Sequence, residues 1–393
     1  MKILITSDWY TPAVNGVVTS VKNLRRELEQ RGHEVRILTL SQTRNSSASE
    51  GVTYLGSVAV GLLYPGARLR TALGGKWIRD LVEWGPDIVH SQCEFSTFFL
   101  ARRIAEELDI PLVHTYHTVY EDYTHYFSPS VRLGKKAVAT LSRWVAEHTD
   151  CMVVPTDKVR RLLLNYGVRT PVYVVPSGIN LRRFRADAEP GQLARMRSEL
   201  NIPEDRTILV NVGRLAEEKN LEELLRFRAG LGKGGITLLL VGGGPWRERL
   251  EATAVCLGLS APDVVFAGMV PPDTVADWYQ MGDLFVSAST SETQGLTYVE
   301  ALAAGVPALC RADECLENVI QEGENGWQYE NEAQFRSHLE EFLSQPHHHE
   351  EMSQAARRVA EEYSAERFAQ RAEAIYQEQI ARHQALQAKQ ASA

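Results

Sequence analysis

Short β-branched runs alternate with longer amphipathic segments along the whole chain, and this alternation limits the possible folds more than any other feature. Near-continuous apolar strands joined by helices are typical of an α/β fold, a doubly wound parallel sheet covered on both faces. The pattern stops and restarts between residues 180 and 205. The predicted strands are 2–7, 34–40, 87–92, 112–117, 151–156 and 172–178, then 207–213, 237–244, 263–269, 283–289 and 306–311.

Two domains also fit the length of 393 residues, since each half is long enough to bury its own core. We predict Rossmann-like domains at 1–180 and 181–365, with a C-terminal helix at 366–393 that packs back across both. Residues 41–50 are expected to form a mobile loop. The other predicted helices are 18–32, 97–109, 157–167, 220–232, 245–259, 274–281 and 296–305.

The composition excludes several classes of protein. No apolar run approaches the ~18–20 residues of a membrane-spanning helix. The N-terminus lacks the long apolar region of a signal peptide, and the 5 cysteines form no CxxC pair. We therefore expect reduced thiols and a cytoplasmic protein.

The net charge of −8 hides an asymmetry. Residues 1–180 hold 21 basic and 17 acidic side chains, whereas 181–393 hold 21 and 33. A net-positive first half indicates that this half faces something anionic. No nucleic-acid-binding motif accompanies the charge, so nucleic acid is not the expected partner.

Two positions are suited to bind phosphate. Gly16 lies in a turn that opens a helix, where backbone amides can approach an anion, although a plain tight turn explains it equally well. Arg214 and Lys219 follow a predicted strand at the edge where open α/β sheets bind ligands, and two cations suit a diphosphate. The alternative is that these cations only pair with Glu217 and Glu218.

The glycine run 242–244 lies between a strand and a helix. Without side chains, this loop permits close approach of a ligand or of other backbone. Gly243 is therefore a candidate contact to a bound ligand. A simple strand-to-helix turn is an equally good interpretation.

The segment SETQGLTYVEALAAG (291–305) carries the most information. Its helix begins near Leu296, so the amides after Gln294 (those of Gly295, Leu296 and Thr297) can donate to a phosphate or a hydroxyl. Glu292 and Glu300 can accept from hydroxyl pairs. Together they predict a ligand with sugar and phosphate parts. The alternative is that Glu292 caps the helix and Glu300 is solvated.

The segment HTYHTVYEDY (114–123) ends another strand. An HxxH pair can bind a metal, but no third ligand follows at suitable spacing. We expect His114 to be a packed strand residue and His117 to donate a hydrogen bond to substrate. The triplet at 347–349 is interpreted as a surface loop rather than a metal site.

These motifs, in this order, resemble those of the retaining GT-B glycosyltransferases of family 4. The resemblance covers nearly the whole chain: the NGV turn, the GR…K pair, the VGGGP loop, and two glutamates eight residues apart. It implies two Rossmann-like domains that face a cleft. Within the family, segments 114–123 and 291–305 are most similar to bacterial diacylglycerol α-glucosyltransferases. That implies transfer of glucose from UDP-glucose to the 3-hydroxyl of 1,2-diacylglycerol, which makes a glycolipid.

The resemblance also implies roles for the candidate residues. Arg214 and Lys219 would hold the diphosphate, Glu300 the ribose, and Glu292 with the amides of 294–296 the glucose. Gly16 would approach the diphosphate, and His117 would contact the sugar. It implies no covalent nucleophile, not even Asp122, no cofactor and no essential metal. Asn180 stands where relatives often have Asp, so it is assigned no role.

Two basic, tryptophan-bearing segments suit an anionic membrane surface. We expect the protein to be peripheral on the inner face of the plasma membrane, as a monomer or weak homodimer. The alternative is that these segments are solvated helix faces over the core. The candidate membrane residues are Arg68, Arg70, Lys76 and Trp77 in the first segment, and Lys135, Lys136 and Trp144 in the second.

Other functions are compatible with the same fold. An α-mannosyl- or glucosyltransferase could act on a phosphoinositol, a polyol-phosphate polymer or a soluble sugar, none of which requires basic apolar segments. A partner subunit without turnover is disfavoured because both cations and both glutamates are present.

Overall fold

The computed structural model describes residues 1–13, 15–60, 68–70, 75–121, 130–186, 188–232 and 234–392. Its contacts divide the chain into two compact units. The N-terminal unit comprises Met1–Gly178 with Ala365–Ala393, and the C-terminal unit comprises Ile179–Ser364.

The N-terminal unit contains a sheet of eight strands among the described residues, with β1 near its centre. The strand order is β10-β9-β8-β7-β1-β2-β4-β3, and only the β3–β4 pair is antiparallel. Its elements are β1 (Lys2–Ser7), α1 (Gly16–Gln30), β2 (Glu34–Leu40), β3 (Ser47–Ser49), β4 (Val52–Leu55), β5 (Ser57–Ala59), β6 (Arg68–Arg70), α2 (Gly75–Trp84), β7 (Ile88–Ser91), α3 (Ser96–Leu108), β8 (Leu112–Thr115), α4 (Val131–Glu147), β9 (Cys151–Val154), α5 (Asp157–Asn165) and β10 (Val172–Val174).

The C-terminal unit contains a parallel sheet of six strands in its described residues, in the order β13-β12-β11-β14-β15-β16. Its elements are α6 (Leu181–Arg185), α7 (Gln192–Glu199), β11 (Thr207–Val212), α8 (Leu221–Gly230), β12 (Ile236–Val241), α9 (Arg247–Cys256), β13 (Val264–Gly268), α10 (Val275–Gln280), β14 (Leu284–Ser287), α11 (Leu296–Ala303), β15 (Ala308–Arg311), β16 (Gly326–Tyr329), α12 (Glu332–Ser344) and α13 (His349–Ala360).

The last helix, α14 (Ala365–Ala391), returns to the N-terminal unit. Phe368, Ile375 and Tyr376 are buried in the same apolar cluster as Ile3 and Ile5 of β1. Burying large apolar side chains against the central strand is what holds this helix in place, because apolar burial stabilises by roughly 25 cal/mol per Å².

The predicted apolar strands are present, and both sheets are parallel α/β sheets with helices between their strands, as the sequence indicated. The short strands were missed. Residues 41–50 include β3, an exposed Ser-Ala-Ser strand paired with β4, so this segment is not simply a loop. Sequence analysis also missed β16, which pairs with β15 but begins with a glycine. No helix in the described part of the chain has the length and apolar character to cross a membrane.

Candidate active site

In the C-terminal unit, two cations follow β11, at the edge where the parallel strands end. Arg214 is exposed and has no ion pair within the described residues. Lys219 ends a short 3-10 turn (Glu217–Lys219), and its Nζ lies 2.5 Å from Oε1 of Glu292. Their side chains are 29% and 11% exposed, so the pair is shielded but reachable. The alternative pairing with Glu217 and Glu218 is not what the structure shows for Lys219.

The Glu292 charge also sets the ionisation of its partner. Burial alone would lower the pKa of the Lys219 ammonium, but the charge and hydrogen bond of Glu292 outweigh it and raise the pKa. Lys219 therefore stays a cation at neutral pH, as an anion-binding role requires.

Glu292 and Gln294 are buried in the loop between β14 and α11. Gly295 precedes the first turn of α11 with a φ of 72°, in the left-handed region. A Cβ there would lie 2.2 Å from Cδ2 of Tyr298, so this position admits only glycine. The Tyr298 hydroxyl is held 2.9 Å from Ser287 Oγ, which fixes the start of the helix and the direction of the amides of Leu296 and Thr297.

Glu300 lies one turn further along α11 and is only partly buried as a residue. The Tyr279 hydroxyl donates to its Oε2 at 2.8 Å. Burial raises the pKa of the Glu300 carboxyl to about 7, against the lowering effects of the Tyr279 hydrogen bond and the Arg183 charge. The Glu300 carboxyl is therefore only partly ionised at neutral pH.

The glycine run after β12 packs against the loop that carries Arg214. A Cβ on Gly242 would lie 1.9 Å from the Gly213 carbonyl oxygen, and one on Gly244 would lie 2.2 Å from that of Leu215. Two of the three glycines are thus required by backbone packing. Gly243 meets only the flexible side chain of Met269, and its carbonyl accepts from the Leu215 N–H at 2.9 Å.

In the N-terminal unit, Gly16 is the exposed first residue of α1. The Oδ1 of Asn15 caps the helix by accepting from the Val18 N–H at 2.9 Å. A capped, exposed helix start is compatible both with an anion-binding turn and with a plain tight turn.

The histidines after β8 are mostly engaged within the unit. His114 is fully buried, with Nε2 3.3 Å from Glu94 Oε1. His117 is partly buried, with Nε2 2.7 Å from Gln92 Oε1. Burial lowers the pKa of His117 to about 4, so the ring is neutral at physiological pH. Asp122 lies outside the described residues.

The first basic segment is partly used by the fold. The Arg68 guanidinium donates to Ser57 Oγ at 2.6 Å and to the Gln42 carbonyl at 2.8 Å, so it anchors the β5–β6 hairpin, and its role at a membrane stays a prediction. Arg70 is intermediate in exposure, and Lys76 is exposed. Trp77 packs against the apolar core. Positions 61–67 and 71–74 lie outside the described residues.

The second basic segment is α4. Lys136 is exposed, whereas Lys135 Nζ lies 3.0 Å from Glu121 Oε2. Trp144 is half-buried, with its ring 5.4 Å from that of Phe99. Packing uses part of this ring, and the role of Trp144 as a membrane anchor stays a prediction. Leu133, in contrast, is 65% exposed.

The remaining polar candidates occupy structural positions. His348 pairs with Glu351 at 2.9 Å, and His349 stacks on Phe342 with ring centroids 4.0 Å apart. No group of three potential metal ligands is found among the described residues. The Asn180 carbonyl accepts from the Arg183 N–H at 3.2 Å at the start of α6.

Sequence reasoning missed the supporting residues Tyr279, Tyr298, Arg183 and Gln92. Tyr279 and Arg183 come from other elements and carry no motif of their own. Two residues did offer a signal: Tyr298 lies inside segment 291–305, and Gln92 follows a buried strand at the ligand-binding edge of the sheet.

Family models and related proteins identify the family of the chain. Residues 14–183 match the model described as Glycosyltransferase Family 4, and residues 194–359 match Glycosyl transferases group 1. The alpha-monoglucosyldiacylglycerol synthase of Streptococcus pneumoniae is 34% identical over 97% of this chain and 86% of its own. The protein of the same name from Acholeplasma laidlawii is 30% identical over 96% of each chain.

Among solved structures, the sucrose-phosphate synthase of Thermosynechococcus elongatus is similar with a TM-score of 0.75 and 21% identity, over 97% of this chain and 99% of its own. That likeness shows the GT-B fold. With two Rossmann-like sheets, two matching family models and relatives along its whole length, the chain belongs to glycosyltransferase family 4 and is a glycosyltransferase of the GT-B fold.

Proposed function

We propose that this glycosyltransferase moves glucose from UDP-glucose to the 3-hydroxyl of 1,2-diacylglycerol with retention of configuration. The observation that carries the proposal is the near full-length similarity to two relatives named alpha-monoglucosyldiacylglycerol synthase. The exposed, apolar and basic surface of α4 supports a lipid acceptor.

The cations after β11 would bind the donor diphosphate. Arg214 offers a planar fork without a carboxylate partner in the described structure, and Lys219 offers a compact charge. Positive charge aimed at the departing phosphate stabilises the charge that develops on it. Because two side chains supply this charge, we expect turnover to need no added metal and no cofactor.

The start of α11 would hold the sugar part of the donor. Glu292 and the amides at 294–296 would bind the glucose hydroxyls, with the amide of Thr297 at the same helix start. Glu300 would accept from the ribose hydroxyls, and Gly243 would lie beside the donor. The ion pair of Lys219 with Glu292 joins the sugar side of this site to its phosphate side.

The N-terminal unit would contribute Gly16 near the diphosphate and His117 near the sugar. We assign no covalent nucleophile. The acceptor oxygen would attack C1 from the face that the diphosphate leaves, the C1–O bond to phosphate would break, and the acceptor proton would pass to a phosphate oxygen. One face for entry and departure gives retention.

The acceptor would be met at an anionic bilayer surface. On α4, Val131 and Leu133 are exposed beside Arg132 and Lys136, and Phe99 on α3 is 50% exposed. Exposed apolar side chains among cations are the pattern of a helix that lies on anionic lipid. Lys76 and Arg70 would add charge to the same unit.

The test is UDP release from UDP-glucose, measured with and without diacylglycerol in anionic vesicles. The matched control is neutral vesicles with the same diacylglycerol content. Release that requires diacylglycerol, with an α-linked product by NMR, supports the proposal. Turnover that ignores lipid would indicate a soluble acceptor. Transfer with GDP-mannose alone, or to a phosphoinositol or polyol-phosphate polymer, would replace the assigned substrates.

A further inference from the structure

A series of hydrogen-bonded polar side chains runs from α14 to His117. The Tyr376 hydroxyl lies 2.6 Å from His90 Nδ1. His90 Nε2 lies 3.0 Å from Gln92 Nε2, and Gln92 Oε1 lies 2.7 Å from His117 Nε2. Tyr376, His90 and Gln92 are each at most 1% exposed.

We propose that Gln92 is a positioning residue that holds His117 in one tautomer, with the proton on Nε2 and with Nδ1 presented as a hydrogen-bond acceptor. The proposal deepens the function proposed above, on which its catalytic consequence rests. The tautomer itself does not depend on that function.

The polarity follows from the chemistry of an amide. A carboxamide oxygen only accepts and its nitrogen only donates. Gln92 Oε1 therefore accepts from Nε2–H of His117, while Gln92 Nε2 donates to His90. His90 then carries its proton on Nδ1 and donates to the Tyr376 oxygen. Thr115 Oγ1 lies 2.7 Å from the same His90 Nε2, so it shares the single lone pair of that nitrogen with the Gln92 amide.

Both rings must be neutral for this order to hold, because a charged imidazole donates from both nitrogens. Burial, with the nearby histidines His114 and His117, lowers the pKa of His90 well below its usual value. Burial also lowers the pKa of His117 to about 4. Each ring therefore has one N–H at neutral pH.

The backbone fixes Gln92 in register. It directly follows β7, and its N–H donates to the Thr6 carbonyl at 2.8 Å. The His90 ring meets the Tyr376 ring edge-on, with centroids 5.5 Å apart. Strand β7 and helix α14 hold the two ends of this hydrogen-bonded series, and turning the amide would require both imidazole rings to change tautomer.

The consequence is that His117 accepts from a substrate hydroxyl through Nδ1. This reverses the donor role expected from the sequence. Gln92 contacts no substrate in this scheme and acts only through His117.

The experiment is a long-range proton–nitrogen NMR spectrum of the full-length protein labelled in histidine, at neutral pH. His117→Gln identifies the signal of that ring. We expect an Nε2–H pattern in the unaltered protein and mixed tautomers in Gln92→Leu. An Nδ1–H pattern, or no change in Gln92→Leu, would overturn the proposal.

One further variant separates positioning from folding. Tyr116→Phe removes another buried hydroxyl, which lies 3.1 Å from Ser142 Oγ and is not part of the hydrogen-bonded series from Tyr376 to His117. This variant should leave the NMR pattern of the His117 ring unchanged. A change in Tyr116→Phe equal to that in Gln92→Leu would make the effect a general loosening and overturn the assignment.

Kinetics test the catalytic consequence. Gln92→Leu should lower kcat/KM about tenfold, as expected for one lost hydrogen bond. In the His117→Gln background it should have no further effect. Additive losses would show that Gln92 acts elsewhere. If no transfer is found with UDP-glucose, the proposed function fails, while the NMR result still decides the tautomer.

Discussion

Both units place polar side chains just after their parallel strands, but they use them in opposite ways. In the C-terminal unit, Lys219 and Glu292 form an ion pair whose side chains are 29% and 11% exposed. In the N-terminal unit, His90 and Gln92 are buried and neutral and belong to a hydrogen-bonded series that runs from Tyr376 to His117. The same edge of the same kind of sheet thus carries an accessible ion pair in one unit and an array of buried, directional hydrogen bonds in the other.

This difference has a physical basis in exposure. A buried charge without a partner is costly, whereas a neutral network is stable if every group is satisfied. Charge-based binding must therefore stay near solvent, while a network can be buried to gain rigidity. Variants in the two units should therefore differ in how strongly activity and stability depend on charge and on shape.

The largest effect is expected from the cation in the ion pair. Lys219→Ala should reduce donor turnover by at least ~100-fold, because it removes the charge assigned to the diphosphate, and a preorganised electrostatic contact contributes about 3 kcal/mol to the transition state. Circular dichroism should show an unchanged fold. The measurement is UDP release at saturating acceptor.

The matched control for Lys219 is Arg336→Ala, which breaks an exposed ion pair with Glu332 on α12 in the same unit. Such surface pairs contribute little, so the rate should be unchanged. Activity of Lys219→Ala within about threefold of the unaltered protein, less than ~0.7 kcal/mol, would refute the diphosphate assignment.

Shape rather than charge is tested at the start of α11. Gly295→Ala should lower the free energy of unfolding by about 3 kcal/mol, because the new Cβ meets the buried Tyr298 ring and the backbone is left-handed. Gly258→Ala has nearly the same φ, 73°, with nothing within 4 Å, and should cost only about 1 kcal/mol.

Chemical denaturation compares these two variants. Equal losses would show that the clash is relieved cheaply, so that Tyr298 does not fix the start of the helix. A larger loss at Gly295 would support a rigid loop, as a site that binds through backbone amides requires.

How much of this could be predicted depends on where the information lies. Apolar runs such as 207–212 determine a buried strand locally, so the main strands followed from the sequence. The exposed β3 and the glycine-led β16 lack that pattern, and pairing with a neighbouring strand is what forms them.

The candidate site divides in the same way. Residues close in sequence, from Glu292 to Glu300, form a motif that can be identified from the sequence alone. The contacts of Tyr376 with His90 and of Glu292 with Lys219 join residues 286 and 73 positions apart. Periodicity carries no information on such pairs, so the roles of supporting residues emerged only from the fold.

A smaller effect is expected from Glu300, whose pKa is raised to about 7. Because the ionised form accepts ribose hydroxyls better, kcat/KM for the donor should rise as the pH increases from 6 to 8, and this ratio reports the free enzyme. Glu300→Gln should lower kcat/KM about tenfold at pH 8, because one hydrogen bond to a charged group is lost. It should also remove the inflection near pH 7 from the plot of kcat/KM against pH. An inflection that persists in Glu300→Gln would assign the titration to another group.

The same shift makes a prediction for stability. The folded carboxyl holds its proton up to about pH 7, whereas the unfolded one loses it near its ordinary value of 4.5. The folded protein therefore binds more protons in this window, and its stability falls as pH rises through it. Glu300→Gln lacks this loss, so it should gain stability relative to the unaltered protein between pH 4.5 and 7. A parallel pH dependence in both proteins would contradict this.

The smallest effect is expected for membrane binding by the exposed cations of the N-terminal unit, which are not held in a buried site. Lys136→Gln removes one exposed cation from α4, and about 1 kcal/mol of attraction to anionic lipid is lost with it. Binding to vesicles rich in anionic lipid should weaken roughly fivefold by sedimentation. Lys22→Gln, an exposed lysine on α1, is the matched control and should bind as the unaltered protein does. Equal weakening in both would mean that only net charge matters, and no weakening in either would remove α4 from the membrane-contacting surface.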